Sequence, residues 1–179
     1  MKAYILLAEG FEEVEALTPA DILKRAGVEA LFASPYGEEY VTGSHGITVK
    51  ADVTELPEDG DAVILPGGKA GTANLRASES VRRMITSYAA AGKLVAAVCA
   101  APSVLGAAGL LDGRKCTCYP GWESELGGKE VFVGGPAVTD GNIVTGKSMG
   151  CSVDFALAVT AKLCGEEIAG KVEDGIYRQ

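Results

Sequence analysis

Short apolar runs alternate with longer helix-like stretches along this chain, which is the pattern of a parallel sheet covered by helices. Tyr4-Ile5-Leu6-Leu7-Ala8 is a continuous apolar run of the kind a strand buried on both faces needs. Phe11 to Arg25 has helical character, and Thr18-Pro19 in its middle predicts a break and a restart with Pro19 at a first helical position. Gly27 fits the C-cap, and Val28 to Ala33 is the next strand. Residues 35–60 are rich in Gly, Pro, Asp and Glu, with one β-like piece at Ile47-Thr48-Val49.

Asp61 to Leu65 is a third buried strand, ended by Pro66-Gly67-Gly68. Ser78 to Ala91 reads as a helix stopped by Gly92, Lys93 to Val98 as a fourth strand, and Ala101 to Ala108 as the helix after it. Lys115 to Cys118 is a further strand candidate. Thr139-Asp140-Gly141-Asn142 is a hairpin turn between two short strands. Ser152 to Leu163 closes the pattern as an apolar-faced helix with Gly165 as its stop. With no repeat, linker or low-complexity tract in 179 residues, one domain spanning 1–179 is expected, an α/β fold with a central, mostly parallel sheet.

Composition narrows the function. The chain is 47% apolar, enough for a core without staples. The longest apolar stretch, Leu94 to Leu111, contains Pro102 and reads as strand, turn and helix rather than a membrane span. The first residues run straight into Glu9, Glu12 and Glu13 and resemble no secretory signal. Five cysteines, an odd number, then indicate a reduced, cytoplasmic protein. A net charge of −8 argues against nucleic acid as a partner. His45 is the only histidine, so any mechanism that needs a histidine base must use it.

Three features fall just past the ends of apolar strands: the Glu-rich segment after the first, Pro66-Gly67-Gly68 after the third, and Cys99 after the fourth. In an open parallel sheet, ligands bind in the crevice outside those carboxyl ends. Cys99 sits among small residues in Val98-Cys99-Ala100-Ala101-Pro102, as the serine of a nucleophile elbow does. A thiol at a helix N-terminus faces unpaired N–H groups that favour the thiolate, with pKa values lowered into the range of about 3.5–7.5 in known cases; the alternative is an inert buried cysteine. Gly68 and Ala100 N–H groups are candidate oxyanion donors, or Gly67-Gly68 is a tight turn needing positive φ. Glu15, flanked by Phe11, Val14, Ala16 and Leu17, is a candidate partly desolvated acid sharing a proton with the sulfur; otherwise the acids here complement the helix dipole.

Gly10-Phe11-Glu12-Glu13-Val14-Glu15, Leu65-Pro66-Gly67-Gly68 and Ala96-Ala97-Val98-Cys99-Ala100-Ala101-Pro102 together resemble the ThiJ/DJ-one/PfpI superfamily, in its DJ-one-like branch, over essentially the whole chain. The resemblance implies a flavodoxin-like three-layer sandwich and a homodimer. It implies Cys99 as the reactive cysteine, Glu15 as its protonated partner, and Gly68 and Ala100 as backbone donors. It also implies cofactor-free glyoxalase III or deglycase activity on small aldehydes or glycated substrates, or alternatively oxidative-stress sensing and chaperone behaviour through oxidation of Cys99.

Many relatives carry a histidine where this chain has Tyr119. A Cys-His-acid triad is then missing, so peptidase activity is not expected and aldehyde turnover is expected to be slow. Tyr119 and Gly67 remain accessory candidates. His45, in Gly43-Ser44-His45-Gly46, reads as a solvent-facing turn residue, although in the family the matching loop lies near the dimer interface and the partner's site. A further departure is Lys147-Ser148-Met149-Gly150, where relatives carry an arginine- or glutamine-containing turn. Arg25 matches an interface position but is equally suited to a helix C-terminus. Cys116-x-Cys118 points both thiols to one face. With no second pair and one histidine, no zinc site is expected. Cys151 and Cys164 read as packing residues on one helix, with mild reactivity the alternative for Cys151 near its start.

Overall fold

The computed structural model describes residues 1–178. In chain order, β1 (Lys2–Leu6) leads to α1 (Glu13–Arg25) and β2 (Glu29–Ala33). A hairpin of β3 (Tyr40–Thr42) and β4 (Thr48–Lys50) precedes β5 (Ala62–Leu65). Helices α2 (Lys69–Ala77) and α3 (Glu79–Ala90) come before β6 (Leu94–Val98) and α4 (Pro102–Ala107). Two-residue strands β7 (Lys115–Cys116) and β8 (Val131–Phe132) are followed by β9 (Ala137–Asp140), β10 (Ile143–Gly146), α5 (Ser152–Cys164) and α6 (Glu166–Gly175).

Six strands form the central sheet in the order β2-β1-β5-β6-β10-β9, all parallel except the edge strand β9, which pairs antiparallel to β10 through the expected hairpin. Alternation along each strand divides the core between the two faces. Tyr4, Leu6, Val63, Leu65, Val95 and Ala97 pack on one side with Val81, Ile85 and Tyr88 of α3 and Leu105 of α4. Ala3, Ile5, Ala62, Ile64, Ala96 and Val98 pack on the other with Ala16, Ala20 and Leu23 of α1 and Phe155 and Val159 of α5. That is the three-layer α/β sandwich of the flavodoxin-like class. The chain leaves β1 toward β2 on one side and returns to place β5 on the other, so a crevice opens at the carboxyl ends of β1 and β5.

Several expectations need correction. Helix α1 runs unbroken through Pro19. Proline there only removes the N–H that would have bonded the carbonyl of Glu15, and buried Ala16, Ala20 and Leu23 on either side hold the helix to the sheet. The strand expected at Lys115 to Cys118 is two residues long and pairs with β8, outside the central sheet. Helices α2 and α6 had no counterpart in the apolar pattern. Among the described residues, no helix is long and apolar enough to cross a membrane.

Candidate functional site

Each motif residue is positioned by the strand it follows. Cys99 follows β6 with φ 65, one of two described non-glycine residues in the left-handed region. Holding an L-residue there costs about 1–2 kcal/mol, so neighbouring structure must enforce it. Two backbone bonds do: Cys99 N–H donates to the carbonyl of Gly146 at the end of β10 (2.9 Å), and Tyr119 N–H donates to the carbonyl of Cys99 (2.8 Å). Pro102 opens α4 in its first turn, as the sequence led us to expect. The elbow leaves the sulfur half-buried.

Glu15 lies in the first turn of α1, fully buried. Its Oε2 accepts a hydrogen bond from Gly67 N–H (2.9 Å), while Oε1 is buried with no partner. A side chain on Gly67 would meet both members of the pair: its Cβ would lie 2.6 Å from Glu15 Oε2 and 2.7 Å from Cys99 Cβ. The glycine is therefore what lets the acid and the cysteine converge. Gly68, at φ 86, has a stricter requirement, since a Cβ there would run into the Gly10 carbonyl. The structure thus brings Cys99, Glu15, Gly67, Gly68 and Ala100 together, as the strand ends indicated.

The electrostatics differ from the simple helix-terminus argument. Burial is the largest influence on Cys99 and, with the Glu15 carboxyl beside it, pushes the thiol up to about 12. The N–H groups of Ala100 and Gly68 pull it down. Helix α4 has only six residues, so its dipole is small and these two local donors carry the stabilisation of a sulfur anion. Burial also dominates Glu15, raising it to about 7, with the Glu12 charge adding to the rise and Cys99 and Gly67 N–H opposing it. Two buried acids this close accommodate one negative charge across the neutral range, and the second ionisation is strongly disfavoured.

Tyr119 joins the site through its backbone N–H, and the residue is 45% exposed. His45 is elsewhere. Its Nδ1 is 2.8 Å from Glu13 Oε2, and its backbone N–H donates to Glu13 Oε1 (2.7 Å). Ser44 Oγ also donates to Glu13. Glu13 is the residue the sequence reading missed: buried, it is the anchor on which the 43–47 turn is hung. Gly43 marks the contact, because a Cβ there would meet the Glu13 carboxyl. Desolvation alone would raise Glu13, but the bonds from the His45 side chain and backbone reverse this and hold it at about 2. That depressed value stabilises the fold above the ordinary carboxylate pKa of 4.5 and is lost as pH falls toward 2. We therefore expect Glu13→Gln to cost about 1–3 kcal/mol at pH 7 and to flatten the acid limb between pH 4.5 and 2, read by urea unfolding across that range.

Ligand atoms of Glu12, Glu13 and His45 lie within 4.8 Å of one another, a grouping with the donors for a cation. Glu12 Oε2 already accepts from Glu15 N–H and the Glu13 carboxylate already binds His45 and Ser44, at a helix N-terminus that disfavours positive charge. Arg25 pairs with Asp21 on its own helix (2.7 Å). Cys116 and Cys118 are buried in the same core, and all five cysteines are free.

The sequence profile of the DJ-1/PfpI family matches residues 1–162. The chain belongs to this family. It is 34% identical over 178 residues to protein dj-1beta of Drosophila melanogaster, covering 97% of this chain and 95% of that one. It is 38% identical over 151 residues to a deglycase of Pyrococcus horikoshii, covering 82% and 90%. Among solved structures, a cysteine-to-alanine variant of a DJ-1 superfamily protein from Salmonella typhimurium superposes with a TM-score of 0.93 at 38% identity, covering 99% of this chain and 98% of that one.

Proposed function

We propose that this chain is a cysteine-dependent enzyme acting on 2-oxoaldehydes or their glycation adducts, with Cys99 as nucleophile and Glu15 as proton carrier. The observation that carries the reading is the fully buried Glu15 carboxyl, held by Gly67 N–H through one oxygen and set beside the Cys99 side chain. A carboxyl raised to about 7 gives and takes protons near neutrality with little free-energy cost. Deglycase relatives in the same family support the substrate class.

In this scheme the Cys99 sulfur adds to the aldehyde carbon. The carbonyl π pair moves to oxygen, which faces the Gly68 and Ala100 N–H groups and takes up a proton as the hemithioacetal forms. Glu15 then removes the proton on that carbon, giving an enediol, and returns a proton to the adjacent carbon. The product is a thioester of a 2-hydroxy acid. Water cleaves the C–S bond, releasing the acid and restoring the thiol. The sequence is redox-neutral and adds one water overall. The only histidine of the chain is bonded to its own Glu13, not to Cys99, so no imidazole of the same chain assists the hydrolysis and turnover is slow. The same reading includes a homodimer, for which Val14, Leu17, Ile47 and Met149 are exposed apolar side chains.

A second reading, redox sensing, draws on the same two N–H groups, which suit the oxygens of a Cys99 sulfinate as well as an alkoxide. One experiment separates them: conversion of methylglyoxal to lactate by wild type, Cys99→Ser and Glu15→Gln, with peroxide oxidation mapped in parallel by mass spectrometry. We expect lactate from wild type, none from Cys99→Ser, and a loss of about 100-fold or more in Glu15→Gln. Absence of Cys99-dependent turnover, with Cys99 oxidised faster than Cys164, would assign the site to sensing instead.

A further inference from the structure

Three hydrogen bonds close a ring around the start of α1. Glu12 Oε2 accepts from Glu15 N–H (2.8 Å), Glu12 N–H donates to the Gly67 carbonyl (3.0 Å), and Gly67 N–H donates to Glu15 Oε2 (2.9 Å). Glu12 thus touches both segments that carry the Glu15 carboxyl toward Cys99, without a hydrogen bond to the sulfur itself. Serine, threonine, aspartate and asparagine are the side chains usually preferred at an N-cap. Here a glutamate takes the position, with a longer arm and a full negative charge one helical turn from a carboxyl that must bind a proton.

We propose that Glu12 is a positioning residue for the Cys99–Glu15 pair, one that both fixes the start of α1 and, by its charge, keeps a proton on the pair at neutral pH. The inference rests on reading that pair as the working site. The groups facing Glu15 are few. Cys99 comes from the β6 elbow, Gly67 N–H from the β5 turn, and Glu12 from the head of α1. Glu13 and His45 are bonded to each other, and Glu12 is the charged side chain, besides Cys99, that acts on Glu15. The rise in Glu15 is in the direction a neighbouring carboxylate produces, and Glu12 contributes to it.

Two neutral replacements test this. Glu12→Gln keeps an acceptor for Glu15 N–H, and Glu12→Ser is a favoured N-cap, so both retain a cap while removing the charge. The readout is the rate of Cys99 alkylation by iodoacetamide from pH 5 to 10, with thermal unfolding as the check on folding. Alkylation draws on the fraction of the singly charged pair whose anion sits on sulfur, so its midpoint between pH 5 and 10 follows the first ionisation of the pair. Loss of the Glu12 charge lowers the cost of that anion and moves the midpoint to lower pH by roughly half a unit or more in both variants. A midpoint unchanged from wild type in either folded variant overturns the proposal. Because alkylation needs no aldehyde chemistry, a shifted midpoint in a protein that fails to consume methylglyoxal would sink the enzyme reading and leave this one standing.

Discussion

Replacing Gly67 with alanine is expected to separate Glu15 from Cys99 while leaving the sheet intact. Gly67 is not in the left-handed region, so its backbone admits an alanine, and the effect is purely one of space. The added methyl would lie 2.6 Å from Glu15 Oε2, 2.7 Å from Cys99 Cβ and 3.1 Å from the Val98 carbonyl. None of these can yield cheaply. The carboxyl is buried, the cysteine is pinned by Gly146 and Tyr119, and the Val98 carbonyl accepts a bond from Ala101 N–H. Overpacking of this kind costs about 1–3 kcal/mol. Displacing one member of a catalytic pair by about 1 Å costs on the order of 100-fold in rate. Gly92→Ala is the control: at φ 71 with nothing within 4 Å, it carries only the conformational cost, so it should lose stability and keep full Cys99 reactivity. Equal Cys99 alkylation rates in the Gly67→Ala variant and wild type would contradict the packing argument.

Glu15→Gln is expected to make the protein more stable relative to wild type as pH rises from 4.5 to 7, while abolishing most activity. In the folded chain the Glu15 carboxyl is raised from 4.5 to about 7, with burial the main cause. Across that window the folded state binds more protons at this site than the unfolded chain does, so wild-type stability falls as pH rises. A glutamine of the same shape cannot ionise, so its variant lacks this slope. The difference between the two should grow by on the order of 2 kcal/mol between pH 4.5 and 7.5. His45 also titrates in this range. Its pKa is raised by Glu13, so its contribution is present below 6.5 and lost as pH rises, but it is common to both proteins and cancels in the comparison. Cys99 enters only at higher pH, because burial and Glu15 hold it near 12. Urea titrations of both proteins at several pH values provide the measurement; parallel stability curves would show that Glu15 is not a raised, buried acid. The proposed catalytic role of Glu15 would explain why a buried ionisable group that costs stability stands at this position.

Much of the architecture was legible in advance. The core strands β1, β5 and β6 are apolar on both faces, and their alternation with helical stretches selects a parallel sheet between two helical layers. Helix α2 was not legible, because Lys69-Ala70-Gly71-Thr72-Ala73-Asn74-Leu75-Arg76-Ala77 has a single large apolar side chain and a glycine at its N-cap with no side-chain cap. The restart expected at Pro19 failed because tertiary packing on both sides outweighs one missing hydrogen bond.

The sequence by itself determined the order of the strands' chemistry: three motifs, each directly after an apolar strand, must meet along one sheet edge, because parallel strands end on the same side. Only the tertiary structure decided what each acid does. Glu13 and Glu15 are two residues apart, about 200° around a helix of 3.6 residues per turn, so one turns to the 43–47 loop and the other to Cys99. Burial decided the proton balance as well. Proximity to helix N–H groups is visible in a string of residues and argues for a lowered thiol pKa. Desolvation comes from atoms distant in sequence, and it pushes Cys99 and Glu15 upward together.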